Sequence, residues 1–483
     1  MRANVKILIL RIRRNMNPIK FEKLPEIVDG RLVGIFPEQL KNRNIKDVSI
    51  DSRNVKSGTV YIPIVGEKND GHDFIQSAVD NGASAVISER TAERLGLDVE
   101  ELEKRGVLFV RVESAKDALK KLAGWNRSLS EIPVIAVTGS SGKTTTKDLI
   151  ASVLGRKYTT LKTPENFNNE YGIPQTLLSL GPDDEAAVIE MGMDHVHDID
   201  QSIELVRPQI AVITNIGTAH LEHLGSKENI LLAKSEILNT LTRDQFALVN
   251  GDDRYLDRVA GGPFEVRRFG IDSDMLDLKA RDCVSDTRGV RFTVGTDSYA
   301  LSIPGIHNVY NALAAVWVGL RLGLTPEQIQ EGFDDYSPSA HRMNLIEANG
   351  MTIIDDTYNA NPDSMAAALD ALEDTCGPER RKVAVLGDML ELGDSELVSH
   401  LDLGKEAAKT VDYLIGVGPA SANTMRGAIR VRASIKGKYF ADTETAAREI
   451  PALLQPGDIV LVKGSRGMRL EKVVEAVAGG EPA

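Results

Sequence analysis

A glycine-rich turn that leads from an apolar segment into a helical one is the feature of this sequence that points most directly to chemistry. It has seven consecutive residues: Gly139, Ser140, Ser141, Gly142, Lys143, Thr144 and Thr145. The backbone N–H groups of such a turn can surround phosphate oxygens, and the N-terminus of the following helix adds a favourable dipole. Lys143 would neutralise the β- and γ-phosphates, and the Thr144 hydroxyl would reach a Mg²⁺ ion. The pattern therefore predicts a chain that binds and uses a nucleoside triphosphate.

The turn is shorter than the common P-loop, G-x-x-x-x-G-K-[ST], because only Ser140 and Ser141 separate its two glycines. The alternative interpretation is a serine–glycine turn without a ligand. The order of the neighbouring segments favours phosphate binding, since an apolar run at 132–137 precedes the turn and a helical stretch at 147–154 follows it.

Two further polar residues follow apolar runs of the same segment. Glu190 ends the run at 186–189, and His220 comes shortly after the run at 210–214. In open α/β sheets, ligands bind beyond the carboxyl ends of the strands. Glu190 offers the hard oxygen that Mg²⁺ prefers, and His220 could hold a second ion. The alternatives are a helix-capping carboxylate for Glu190 and a hydrogen-bonding core residue for His220. Lys234 lies two residues before Glu236 on a predicted helix, and from the sequence alone this pair indicates only a solvated helix face.

Other polar groups could hold the nucleotide. Asn308 and Asn311 lie three residues apart on one predicted helix face, where paired amides could read an adenine edge; helix capping is the alternative for Asn308. Asp356 and Asn359 follow an apolar run and suit ribose or phosphate contact. Arg342 could reach a γ-phosphate across a cleft, and a surface ion pair is its alternative.

Composition limits the class of protein. The chain has 483 residues, 42% of them hydrophobic, which is enough for about three domains. A net charge of −13 and a pI near 5.3 argue against a nucleic-acid partner. The two cysteines, Cys283 and Cys376, predict no disulfide framework, so a reducing cytoplasm is expected. No apolar run reaches the length of a membrane span, so stable membrane insertion is not expected.

We predict an α/β protein with three domains after a basic extension: 1–20 as the disordered extension, then 21–125, 126–336 and 337–483. Continuous apolar runs at 132–137, 186–189 and 210–214 predict a parallel sheet covered on both faces. Residues 245–303 are expected to form a small β-rich addition. After 337, strands and helices alternate, which is typical of a doubly wound domain.

The extension at residues 1–20 carries six basic side chains and a short apolar patch. A signal peptide is a poor fit, because no small-residue cleavage site follows. We interpret it as a disordered tail, or as an early start codon with Met16 as the true first residue. A weak surface anchor is the alternative.

Five stretches resemble the Mur ligase family, whose members extend peptidoglycan precursors by ATP-dependent amide bond formation. They read DGHDF at 70–74, NFNNE at 166–170, DTYNANPDSM at 356–365, GDMLELG at 387–393 and KGSR at 463–466. The resemblance runs from about residue 51 to 472. It concerns in particular the branch that adds D-alanyl-D-alanine to UDP-N-acetylmuramoyl-tripeptide, because the Asp-Asn-Pro-Arg motif of the diaminopimelate-adding branch is absent.

The resemblance implies a function and an architecture. The N-terminal α/β domain would bind the UDP substrate, the central P-loop-type domain with its parallel sheet would bind ATP, and the C-terminal domain would be Rossmann-like. ATP and two Mg²⁺ ions would be the cofactors, and the reaction would pass through an acyl phosphate. The partners would be the two small-molecule substrates, and the protein would be a cytoplasmic monomer.

The resemblance also implies roles for individual residues. Lys234 matches a position that is carbamylated in many members, which would make it an anionic metal ligand. The implied metal ligands are Thr144, Glu190, His220 and Lys234. The implied catalytic residues are Lys143, His220, Lys234 and Arg342. The implied nucleotide contacts are residues 139–145, Asn308, Asn311, Arg342, Asp356 and Asn359. The implied substrate contacts are Ser52, Arg53, Asn168 and Asn169.

The sequence departs from the family pattern at two places and leaves three rival functions open. The basic extension before Met16 has no counterpart in the family, and His197 stands where the family usually has glycine. A phosphotransferase that stops at a phosphorylated product, a non-catalytic nucleotide-binding scaffold and a folylpolyglutamate synthetase are the rivals. The sequence leaves open the third residue of the acceptor peptide, the carbamylation of Lys234 and the extent of domain closure.

Overall fold

Three sheets rich in parallel strands organise the chain, and each is built from one stretch of sequence. The computed structural model describes residues 16–66, 69–376 and 379–479. Helices cover the sheets, so the predicted α/β class is confirmed. In the described part of the chain, no helix combines the length and the apolar character needed to cross a bilayer.

The first sheet has the order β2-β7-β6-β5-β4, with β2 antiparallel to β7 and the other pairs parallel. A short antiparallel pair, β1–β3, lies beside it. The strands are β1 (Ile19–Lys20), β2 (Arg31–Val33), β3 (Asn44–Ile45), β4 (Asp47–Ser49), β5 (Thr59–Tyr61), β6 (Ala85–Ser88) and β7 (Leu108–Arg111). The helices are α1 (Leu24–Ile27), α2 (Ile75–Asp80), α3 (Val99–Lys104) and α4 (Ala115–Ser128).

The central sheet has the order β16-β15-β14-β13-β12-β11-β8-β10-β9, and its pairs are parallel from β9 to β14. The strands are β8 (Val134–Thr138), β9 (Thr160–Lys162), β10 (Ala186–Glu190), β11 (Ile210–Ile213), β12 (Phe246–Asn250), β13 (Glu265–Gly270), β14 (Leu278–Asp286), β15 (Gly289–Val294) and β16 (Asp297–Leu301). The helices are α5 (Lys143–Leu154), α6 (Gly172–Leu178), α7 (Asp200–Val206), α8 (Leu221–Leu224), α9 (Lys227–Ser235), α10 (His307–Arg321) and α11 (Pro326–Asp334). Strands β8, β10 and β11 are completely buried, as their continuous apolar sequences predicted.

The C-terminal sheet has the order β17-β18-β22-β19-β20-β21, and all its pairs except β17–β18 are parallel. The strands are β17 (Asn344–Ala348), β18 (Met351–Asp356), β19 (Lys382–Gly387), β20 (Tyr413–Val417), β21 (Lys436–Phe440) and β22 (Ile459–Lys463). The helices are α12 (Pro362–Thr375), α13 (Glu396–Thr410), α14 (Ser421–Val431), α15 (Thr443–Glu449) and α16 (Glu471–Ala478). Separate apolar clusters cover its two faces.

Two sequence-based expectations need correction. Residues 245–303 are β-rich as expected, with strands β12 to β16, but they are not a separate addition, because β12 pairs with β11 and β13 with β12 and so extend the central sheet itself. The boundary at Phe21 falls too late, since Met16 and Ile19 are buried in the core and Ile19 pairs with Ile45. The predictions about residues 1–15 lie outside the described residues.

The end of α4 fixes the first sheet against the central one. The Asn126 amide donates to the carbonyl oxygens of Leu177 and Leu180, each at 2.8 Å, and it is fully buried. Arg127 donates from Nε to the Val206 carbonyl at 3.0 Å. These side chains add buried donors to carbonyls at the ends of α6 and α7 and so join α4 to both helices.

We expect Asn126→Leu to lower the free energy of unfolding by about 2 kcal/mol, because two buried hydrogen bonds of 2.8 Å are lost. Urea denaturation followed by circular dichroism measures this. Asn54→Leu is the matched control, since Asn54 is exposed and its side chain donates one long hydrogen bond of 3.4 Å to Asp51. Equal stability of the two variants would contradict the assigned role.

Candidate active site

A cavity of about 750 Å³ opens at the carboxyl ends of the central strands, and the C-terminal domain lines its other side. It brings together most of the residues that sequence reasoning selected. Those on its wall are Ser140, Ser141, Gly142, Lys143, Thr144, Thr145, Asn168, Asn169, Glu190, His220, Asn308, Asn311, Arg342, Asp356 and Asn359. Gly139 and Lys234 lie directly behind this wall and contact Lys143 or its loop.

The glycine-rich loop joins β8 to α5, which begins at Lys143 rather than at residue 147. Gly142 has a φ of 77°, and a Cβ atom there would lie 2.5 Å from Asn311 Oδ1. Both facts require glycine. Asn215 holds the loop from the other side, since its Oδ1 accepts the Ser141 N–H at 3.0 Å and its carbonyl accepts the Ser140 N–H at 3.1 Å.

Two lysine side chains converge on one carbonyl of this loop. Lys143 Nζ lies 2.8 Å and Lys234 Nζ 3.0 Å from the Gly139 oxygen. Burial, and then the Lys143 charge, hold the pKa of Lys234 well below its ordinary value. Lys234 is only 1% exposed, so the interpretation as a solvated helix face is wrong. A neutral amine or an added negative charge at Lys234 would relieve the repulsion between the two side chains.

Glu190 is buried at the end of β10. Asn168 Nδ2 donates to its Oε1 at 2.8 Å, and Lys147 Nζ lies 3.9 Å from its Oε2. Oε2 makes no hydrogen bond within the described protein. Glu190 therefore caps none of the described helices, and one carboxylate oxygen remains available to a ligand in the cavity.

His220 is the N-cap residue of α8 and has a φ of 62°. Its Nδ1 is 3.2 Å from Asp194 Oδ1 and 3.6 Å from Glu391 Oε2, but it forms no hydrogen bond of acceptable geometry. Burial, followed by the charges of Lys143 and Lys234, lowers the pKa of His220 to about 4. The ring is therefore neutral at pH 7, which leaves a nitrogen lone pair for a ligand.

The donor groups fit a divalent cation that shares its coordination with phosphate. Thr144 and Glu190 supply oxygens beside the phosphate loop, and Glu190 Oε2 is a buried acceptor that receives no hydrogen bond from the described residues. In the described part of the chain, no three His, Cys, Asp or Glu side chains already converge as a complete metal site. This suits Mg²⁺, which commonly takes one or two protein oxygens and completes its shell with substrate phosphates and water.

Asn308 and Asn311 are buried, and their amides are engaged within the protein. Asn308 Nδ2 donates to the Pro304 carbonyl at 2.7 Å, and Asn311 Nδ2 donates to Asn308 Oδ1 at 2.9 Å. Asn311 Oδ1 accepts the Thr146 hydroxyl at 3.0 Å. These bonds tie α10 to α5, so the structure does not show the pair of free amide edges expected for reading adenine.

The C-terminal domain contributes two basic side chains, Arg342 and Lys463, to the wall of the cavity, and we call this pair the cationic wall. The Arg342 guanidinium lies 3.9 Å from the centre of the Tyr358 ring, rather than in a surface ion pair. Lys463 Nζ lies 2.5 Å from Asp356 Oδ2 and 2.9 Å from the Asn359 carbonyl. Asp356 is thus oriented by a buried lysine at the end of β22, the strand beside its own.

Four other positions that the sequence analysis selected have surroundings of a different kind. Ser52 and Arg53 are not on the wall of this cavity, and Arg53 pairs with Asp51 at 2.7 Å. Asn169 Oδ1 accepts the N–H of Gly172 at 2.9 Å, so it caps the start of α6. His197 has a φ of 75° and an exposed side chain, which explains why a glycine suits this position.

Sequence reasoning missed three basic residues of the site. Lys147 follows Lys143 by one helical turn, and this spacing could have placed it beside the loop. His307 precedes Asn308 at the start of α10, and Lys463 was noted only as part of a motif. The partners of these side chains come from distant segments, so no local pattern identifies their roles.

Comparison with known proteins supports one family along the chain. The model of the Mur ligase family catalytic domain matches residues 44–126, that of the Mur ligase middle domain residues 137–319, and that of the Mur ligase glutamate ligase domain residues 341–466. The UDP-N-acetylmuramoyl-tripeptide–D-alanyl-D-alanine ligase of Bacillus subtilis (strain 168) is 34% identical over 458 residues, which cover 94% of this chain and 97% of the relative. The chain belongs to the Mur ligase family.

Solved structures of Mur ligases have the same fold. MurF from Acinetobacter baumannii aligns with a TM-score of 0.84 at 32% identity and covers 96% of this chain and 99% of its own. MurF from Thermotoga maritima, solved in complex with ADP, aligns with a TM-score of 0.78 at 30% identity, covering 90% and 97%. This Mur ligase therefore has the three-domain architecture of its relatives.

We expect His307 to make stability depend on pH. Its Nε2 accepts from the Asn308 amide at 3.1 Å, and burial together with the Lys463 charge lowers its pKa to about 4. Between pH 6.5 and 4 the unfolded chain therefore binds a proton that the folded chain refuses, so stability falls as the pH falls. His307→Gln should remove about 2 kcal/mol of this loss.

Urea denaturation at several pH values measures the effect. His195→Gln is the matched control, because the His195 side chain is 64% exposed and its removal should leave the pH dependence unchanged. If His307→Gln retained the full wild-type pH dependence, the histidine would not be the group responsible.

Proposed function

We propose that the chain is an ATP-dependent ligase that joins D-alanyl-D-alanine to UDP-N-acetylmuramoyl-tripeptide in cytoplasmic peptidoglycan precursor synthesis. One observation carries the proposal. A phosphate loop, a buried carboxylate with a free oxygen and a cationic wall from the C-terminal domain line one cavity, in a chain matched over nearly its full length by ligases of that name. A nucleic-acid-binding protein usually carries a basic surface, which a chain with a net charge of −13 is not expected to have.

The reaction would take place in two steps. An oxygen of the tripeptide carboxylate attacks the γ-phosphorus of ATP, and the bond to the ADP oxygen breaks. The α-amine of D-alanyl-D-alanine then attacks the acyl carbon of this acyl phosphate, the amine loses a proton, and phosphate leaves. Catalysis of phosphoryl transfer depends mainly on positioning and on charge stabilisation.

Lys143 and Arg342 are the cations that we assign to the transferred phosphoryl group. Lys143 belongs to the loop that would hold the phosphates, and Arg342 approaches from the C-terminal domain. The charges of these two side chains influence each other, because the Arg342 charge contributes to lowering the pKa of Lys143. An anionic ligand between them would therefore stabilise both charged forms.

Thr144, Glu190 and His220 would hold Mg²⁺, and Lys234 would join them if carbamylated. When bound, the two ions would stabilise the negative charge of the phosphates. Carbamylation forms a bond between Lys234 Nζ and the carbon of CO₂ and releases one proton. It requires a neutral amine, and the lowered pKa of Lys234 supports this requirement.

The remaining assignments follow from position. The amides of Asn308 and Asn311 would shape the nucleotide pocket rather than read the base, while Asp356 and Asn359 would contact the ribose. Gly139 and residues 140–145 would surround the phosphates. Ser52 and Arg53 would bind the uridine end, and Asn168 and Asn169 the muramoyl-peptide end. We propose a monomer with domains at 21–125, 126–336 and 337–483, the first extended to include residues 16–20.

The function is tested by measuring phosphate release from ATP and Mg²⁺, with each substrate alone and with both, while product mass is followed. We expect release only with both substrates and a product heavier by one dipeptide less water. A phosphorylated UDP-tripeptide formed without phosphate release would indicate a phosphotransferase, and phosphate release with the UDP-tripeptide alone would indicate an uncoupled enzyme. ATP binding without release would indicate a scaffold, and activity on folate and glutamate a folylpolyglutamate synthetase.

Lys143→Ala should lower kcat by about a hundredfold or more, because a charged donor to the phosphoryl group is lost. Lys405→Ala is the control, since the Lys405 side chain on α13 is 45% exposed and pairs only with Asp402 among its described neighbours. Steady-state kinetics with both substrates measures the effect. Turnover of Lys143→Ala close to that of the control would overturn the assignment.

The wild-type protein in ¹³C-labelled bicarbonate should show a carbamate carbon resonance that Lys234→Ala lacks. The variant should also lose at least about a hundredfold in kcat. Carbon NMR measures the first effect and phosphate release the second. An identical carbon spectrum for the two proteins would exclude carbamylation, whatever the kinetics show.

A further inference from the structure

A contact between the central and C-terminal domains lies immediately beside the phosphate loop. Thr218 follows β11 of the central sheet, and both its backbone N–H and its hydroxyl donate to Asp363 Oδ2, each at 2.7 Å. Asp363 lies in the first turn of α12 in the C-terminal domain. A single carboxylate oxygen therefore accepts two hydrogen bonds across the domain boundary.

The preceding glycine allows this close approach. A Cβ atom on Gly217 would lie 2.4 Å from Asp363 Oδ2 and 3.1 Å from Ser140 Cβ. The backbone at Gly217 thus lies between the start of α12 and the phosphate loop, with room for no side chain. The need for glycine here arises from the close approach of the two domains.

The same segment holds the phosphate loop on its other side. The Gly217 N–H donates to Ser140 Oγ at 2.8 Å, and the Thr214 hydroxyl donates to the Ser141 carbonyl at 2.6 Å. Residues 214–218, which we name the coupling segment, therefore contact both the loop and Asp363. Any movement of α12 away from the central domain would withdraw the acceptor from Thr218, one residue from the Ser140 contact.

Asp363 is itself held rigidly. The Asn361 side chain accepts the Ser364 N–H at 2.8 Å and the Ser364 hydroxyl accepts the Asn361 N–H at 3.0 Å, which forms a capping box around Asp363. The position of Asp363 in the first turn also favours its negative charge, because the helix dipole is positive there. The position of the Asp363 carboxylate is therefore fixed relative to the C-terminal domain.

We propose that Asp363 is a positioning residue that couples docking of the C-terminal domain to the geometry of the phosphate loop through the coupling segment. The inference rests on the proposed function only in that a docked C-terminal domain is needed for turnover. The docked state brings Arg342 to the cavity that Lys143 lines, so loss of the contact should reduce the fraction of enzyme that is competent for phosphoryl transfer.

Kinetics of four variants test the coupling. Asp363→Ala should lower kcat at least about tenfold, since two hydrogen bonds to a charged acceptor are lost. Its dissociation constant for ATP, measured without the other substrates, should stay within about threefold, because Asp363 is outside the phosphate loop. Thr218→Val should lower kcat less, since its backbone N–H remains, and Thr218→Ser should retain wild-type kcat.

The double variant Asp363→Ala/Thr218→Val makes the test specific. If both residues act through one contact, the double variant should have the kcat of Asp363→Ala alone. The proposal would be overturned if the loss in kcat of the double variant equalled the product of the two single-variant losses. It would also be overturned if Asp363→Ala had the wild-type kcat. Asp370→Ala is the matched control, because Asp370 is an exposed carboxylate two turns further along the same helix. If Asp363→Ala does not fold, Asp363→Asn replaces it in both comparisons.

A distance measurement separates this inference from the proposed function. Fluorescent donor and acceptor dyes at the exposed residues Glu204 and Lys436 report the separation of the two domains in the full chain. With a non-hydrolysable ATP analogue and Mg²⁺, wild type and Asp370→Ala should populate the docked distance, and Asp363→Ala a longer one. An unchanged distance in Asp363→Ala would overturn the inference. Lack of ligase activity in the wild type would overturn the proposed function alone.

Discussion

Two lysine side chains share the carbonyl oxygen of Gly139, and the rest of the site is arranged around this concentration of positive charge. Within the described protein, Lys143 and Lys234 both donate to that oxygen. Burial lowers the pKa of both side chains, and the Lys143 charge lowers that of Lys234 further. Such a site is stable when negative charge arrives, either as phosphate or as a modified Lys234. The same constraint keeps His220 neutral, because a third cation beside the two lysines would be costly.

The parallel central sheet is what makes this concentration possible. Strands β8, β10 and β11 run side by side, so their carboxyl ends deliver the phosphate loop, Glu190 and the coupling segment to one edge. Burial of the strands on both faces leaves this edge as the place where polar groups reach solvent and ligand. Asn168 donates to Glu190 Oε1 and the Lys147 charge lies 3.9 Å from Oε2, so Oε2 is held without a hydrogen bond, and this explains how a buried carboxylate can serve a ligand.

The C-terminal domain completes the cavity instead of merely adjoining it. Asp356 and Arg342 face the phosphate loop from β18 and the segment before β17, and Lys463 holds Asp356 in place. The Asp363–Thr218 contact joins the two domains at a segment that also supports the loop. Positioning of the cationic wall and positioning of the phosphates therefore depend on the same backbone, which gives the protein a physical route from domain docking to catalysis.

The sequence by itself determined the α/β class, the phosphate loop and the family. These features are local: apolar runs define buried strands, and Gly142 with Lys143 and Thr144 defines a phosphate-binding turn. Only the tertiary structure decided that residues 245–303 extend the central sheet, that Ile19 belongs to the first domain, and that Asn308 and Asn311 bond to each other. Strand pairing, burial and amide partners depend on residues far apart in the chain, and no local pattern specifies which distant group will satisfy a given donor.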